Sequence, residues 1–172
     1  MFESWGEFYL VAGGAAAVLI GLIFVVVTVM NDRPRSSVLY GSRLYMGPIV
    51  LHMSFVLVLS GAALSPGISG RAFAGIAGVI ALWGAARGVI SISGIRRLRI
   101  DDVAVHWTDA WYYGAMPLAI YLGLGAVAIG FWNGAEWAPY GLAAAVVALL
   151  LLSIRDEYDL VTWLTPRPDE GE

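Results

Sequence analysis

Four stretches of this chain, residues 8–31, 44–70, 110–135 and 137–154, contain no Asp, Glu, Lys or Arg. Each approaches or exceeds the roughly 17–25 residues a helix needs to cross the hydrocarbon of a bilayer. The chain is 59% hydrophobic and 13% charged, against about 25% charged in ordinary soluble domains. In lipid each backbone amide must find its partner within the protein, which leaves helices as the natural form for such runs. The expected fold is therefore all-α: a polytopic transmembrane helix bundle of five spans.

The spans are expected at about residues 8–30, 44–64, 72–95, 111–132 and 138–154 of a single transmembrane domain, 1–164. Asn31-Asp32-Arg33-Pro34-Arg35 ends the first span, because charge and proline do not continue it. The leader Met1 to Glu7 is acidic where a secretory signal would be basic, so the first span is read as a retained helix with Glu7 at its start. The third segment holds Arg87, which divides it into uncharged runs of fifteen and eight residues. The alternative is four spans plus a re-entrant or interfacial helix. Trp111 and Trp132 bracket the fourth span at the two headgroup layers. Residues 155–164 either continue the fifth helix or bend onto the membrane surface, and 165–172 form a short acidic tail.

All ten basic residues are Arg, and they are placed unevenly. Eight flank the ends that five spans put on one side, in the first loop, the third loop and the tail, whereas Arg71 alone lies on the other. Positive-inside bias then predicts an external N terminus and a cytoplasmic C terminus. The absence of Lys excludes Schiff-base chemistry, and the absence of Cys excludes disulfides and thiolate sites. Net charge of -3 with Arg beside apolar segments gives no sign of nucleic-acid binding. No HExxH, G-x-S-x-G or P-loop pattern occurs, so the expectation is a non-enzyme with no cofactor and no metal.

Polar residues inside apolar spans are costly and so point to function. Arg87, eight residues before Ile95, and His52, eight residues after Leu44, are placed at the same expected depth from the same side. Ser91 shares a helix face with Arg87, while Pro117 frees the carbonyl of Tyr113 and Tyr121 follows one turn later. His52, Arg87, Ser91, Tyr113 and Tyr121 are thus candidates for a polar vestibule, with Asp156 and Asp159 as ion-pair partners of Arg87. Arg87 alternatively snorkels to lipid phosphates, and His52 alternatively bonds a neighbouring helix. His106 lies in the polar third loop, where it reads as a solvated residue.

Small residues at spacings of four, Gly13, Ala17 and Gly21, then Gly84 and Gly88, either line a compact bundle or form a homo-oligomeric seam. The functional expectation is a small homo-oligomeric channel or transporter with a cytoplasm-facing vestibule. The alternative is a non-catalytic membrane partner docking through its glycine faces and acidic tail. In either case membrane lipid is the surrounding partner.

Several motifs resemble those of a group of small uncharacterised bacterial multi-span membrane proteins: Trp5-Gly6-Glu7-Phe8-Tyr9, Pro48-Ile49-Val50-Leu51-His52, Trp111-Tyr112-Tyr113 with Pro117, and Arg155-Asp156-Glu157-Tyr158-Asp159. Glu157-Tyr158 stands where the group has Ala-Trp. The resemblance implies a bacterial cytoplasmic membrane location and a compact bundle, and it places His52 in a recurring P-x-x-x-H pattern.

Overall fold

In a computed structural model, residues 2–30, 47–100 and 111–164 are described, and they are helical apart from short connections. The helices are α1 (Gly6–Met30), α2 (Gly47–Leu64), α3 (Gly70–Ile100), α4 (Met116–Trp132) and α5 (Ala138–Leu164). Four are long and apolar enough to cross a membrane. The remaining one, α4, is apolar but has 17 residues. A π-helical turn, Trp111–Ala115, lengthens it to the expected limits of the fourth span. The all-helical bundle is therefore as the sequence predicts.

Two short turns reverse the chain, one between α2 and α3 and one between α4 and α5. Gly67 and Gly134 both take φ of 70°, a conformation open to glycine at little cost. The Ser69 hydroxyl accepts a hydrogen bond from the Ala72 amide at 3.2 Å and caps α3. The helices form two packed pairs, α1 with α2 and α3 with α4, the second being the more extensive, and α5 joins them by packing on α4 and α2. Consecutive α2 and α3 touch only slightly.

The two ends of the bundle differ in chemistry. At the end holding the α1 N terminus, Phe2 folds back onto Phe73 and Phe131, with ring centroids 4.9 and 5.5 Å away, and meets Tyr9 edge-on at 5.6 Å. Trp5 packs against Tyr140 at 5.0 Å. Tyr9 and Phe73 are fully buried, so this aromatic end is sealed. The opposite end is called basic for the arginine runs beside it in sequence. The first loop (31–46), the loop 101–110 with His106, and the acidic tail (165–172) lie outside the described residues.

Two helices run past the expected spans. The third helix runs on to Ile100, not Ile95. The fifth does not stop at residue 154 but continues to Leu164, because its inward stripe of Leu142, Val146, Leu149, Ser153, Asp156 and Leu160 keeps a spacing of three and four and stays buried throughout. Of the two readings of residues 155–164, the continued helix is the one observed, with Asp156 and Leu160 packed into the bundle. On the outer surface, Leu10, Val11, Leu82 and Ile129 are largely exposed, as expected of helices that are apolar all round.

Candidate functional site

His52 is 5% exposed, on the inner face of α2. Its Nδ1 lies 2.6 Å from the Tyr121 hydroxyl on α4, and the direction of the shared hydrogen bond follows the imidazole tautomer. The bond crosses between the two helix pairs. Tyr121 reaches that far because its ring lies flat against Gly84 of α3, where even a Cβ would collide with it. Phe55 closes the other side edge-on at 5.9 Å. A glycine on one helix, a tyrosine on the next and a histidine on a third therefore build a single contact.

Counted along the helix axes from the aromatic end, Tyr121 lies about 16 Å in from Trp132 and His52 about 18 Å in from Leu64. Arg87 is about 25 Å in from Gly70, and Asp156 about 27 Å in from Ala138. These helix ends are not level with one another: Arg87, between Gly84 on Tyr121 and Gly88 on Leu118, lies near the level of Tyr121 and its partner His52, whereas Arg155 over Tyr112 puts Asp156 nearer the basic end. Arg87 is exposed, at the edge of a face whose Gly84 and Gly88 are buried, and its charge is close enough to act on His52. Ser91, one turn on, is half-buried. The Tyr113 side chain lies outside the described residues, but its backbone belongs to the π-helical turn before Pro117. Proline has no amide to give the preceding turn, so a widened turn there has a local cause.

The last part of α5 carries the remaining polar residues. Arg155 lies over the Tyr112 ring, its guanidinium carbon 3.3 Å from the centroid, and pairs with the Asp159 carboxylate at 3.4 Å. Asp159, expected to serve Arg87, is thus held by a residue on its own helix. Asp156 is 1% exposed and Ser153 fully buried, one turn apart on the inward stripe. Among the described residues neither Asp156 Oδ1 nor Ser153 Oγ has a hydrogen-bond partner. Leaving such groups unpaired costs about 1–3 kcal/mol each, more when charged. Sequence reasoning missed Ser153. Its signal is the three-residue spacing to Asp156 within an otherwise apolar stripe.

The buried polar residues are unevenly distributed. Among those described they are His52, Ser60, Ser153 and Asp156. Only Ser60, packed against Gly13, is toward the aromatic end. The arrangement offers an imidazole–phenol pair able to pass a proton along a hydrogen bond, and deeper toward the basic end a carboxylate and hydroxyl with acceptor capacity to spare. No group of three or more His, Cys, Asp or Glu among the described residues is placed to hold a metal ion. The apolar helices are compatible with an integral membrane protein. Comparison with protein-family models, curated proteins and solved structures finds no match for this chain.

Proposed function

We propose that this protein is a small, non-catalytic channel or transporter of a bacterial cytoplasmic membrane. In this reading the basic end faces the cytoplasm and opens into a polar vestibule, while the aromatic end is the external seal. The supporting observation is the distribution of buried polar groups among the described residues: His52, Ser153 and the carboxylate of Asp156 lie toward one end and only the hydroxyl of Ser60 toward the aromatic plug, and Asp156 Oδ1 is unpartnered among those residues. A purely structural bundle gains nothing from burying an unpartnered carboxylate, whereas a site that exchanges protons or cations needs one. Arg87, exposed on α3 near the level of Tyr121, supplies positive charge beside the His52–Tyr121 pair.

The docking-partner reading draws on the glycine faces, and two of these are used inside the bundle. Gly84 seats Tyr121, and a Cβ on Gly88 would come within 3.1 Å of Leu118. Self-association has instead the open face of α1, where Gly14 and Gly21 have no neighbour within 4 Å.

The test is flux in proteoliposomes under proton and anion gradients, comparing wild type with Asp156→Asn and Arg87→Gln. Flux above empty vesicles that is lost in Asp156→Asn supports the proposal. Absence of flux from protein shown to be folded and inserted overturns it, as does flux indifferent to both substitutions.

A further inference from the structure

A groove of about 400 Å³ runs along the outer surface between α3 and α4. Ala74, Gly78 and Ala85 line it on one side and Tyr121, Gly125 and Trp132 on the other, and its wall is almost wholly apolar. Leu82 and Ile129, both lining the groove, are 75% and 65% exposed, so it opens toward lipid. Its extent on α4, from Trp132 inward to Tyr121, is about 16 Å. One leaflet contributes half of a hydrocarbon core about 30 Å thick, so the groove is one leaflet long. The Tyr121 ring, fixed on Gly84, forms its inner end. At its outer mouth the exposed Arg71 places its guanidinium 5.8 Å from the Trp132 ring centroid.

We propose that this groove holds one acyl chain of a phospholipid from the leaflet at the aromatic end, with the lipid phosphate on Arg71. Length and lining select an alkyl chain, and the cation at headgroup level selects a phosphate. The small residues leave room for the chain, and Trp132 sits where an indole borders the headgroups.

The experiment is native mass spectrometry of the purified full chain in detergent with added phosphatidylglycerol. Gly75 lines the groove and has no neighbour within 4 Å, so Gly75→Leu fills the space without straining the fold. Gly14→Leu, equally open but on α1, is the control. Wild type and Gly14→Leu are expected to retain one phospholipid per chain. Gly75→Leu is expected to lose it, and Arg71→Gln to weaken retention about fivefold, the value of one basic residue near a lipid surface. Equal retention in Gly75→Leu overturns the proposal, as does equal loss in Gly14→Leu. A dimer that Gly75→Leu dissociates, with no lipid bound to wild type, overturns it in favour of a second copy.

Discussion

The hydrogen bond between His52 and Tyr121 is the most specific polar contact of the core, and removing one partner leaves the other buried and unpaired. Tyr121→Phe is expected to destabilise the bundle by about 1–3 kcal/mol. His52→Phe/Tyr121→Phe should cost less than the two single changes added together, which a thermal-melt double-mutant cycle in detergent measures. Asp156→Asn is expected to behave oppositely, melting no lower than wild type, because a neutral isostere takes the place of a buried acid with an unpartnered oxygen. The sequence pointed to His52, Tyr121 and Asp156 individually, each a polar group in or beside an apolar run. Their grouping was less legible. Depth counted from assumed helix ends paired His52 with Arg87, whereas the group His52 actually bonds is Tyr121 on α4. Ser153 was legible only through its three-residue spacing to Asp156, since a lone serine in a membrane helix is ordinary.

Among the elements, α3 and α4 are packed ring on backbone where Gly84 meets Tyr121, and backbone near backbone where Gly88 meets Leu118. Gly84→Ala is expected to lower stability by about 1–3 kcal/mol through overpacking and to pull Tyr121 away from His52. Gly14→Ala, facing open space, should be neutral or slightly stabilising, and paired melting curves separate the two. The π-helical turn before Pro117 sets the direction of Tyr112, on which Arg155 stacks. Pro117→Ala restores an amide and is expected to draw that turn toward regular α geometry, read as slowed amide hydrogen exchange over residues 111–117. Helix existence was readable from uncharged runs, because the bilayer imposes length and apolarity directly. The extension of α5 was readable only from the three-and-four spacing of its inward stripe, since Arg155, Asp156, Glu157 and Asp159 otherwise look like a helix leaving the membrane.

At the scale of the whole molecule, two helix pairs are bridged by α5, sealed by aromatic rings at one end and polar inside toward the other. The aromatic seal was not foreseen, because it depends on Phe2 folding back onto residues more than seventy and more than a hundred positions away. The central claim is that the polar half is reached by water and the aromatic half is not. The chain has no cysteine, so single introduced thiols report without background. The most direct measurement is labelling of Ser153→Cys and Ser60→Cys in oriented vesicles with a membrane-impermeant thiol reagent applied to each face in turn. The account predicts that Ser153→Cys reacts from the basic side only and Ser60→Cys from neither side. A Ser153→Cys thiol that stays unreactive from both sides while the protein is folded, or a Ser60→Cys thiol that labels readily, would contradict it.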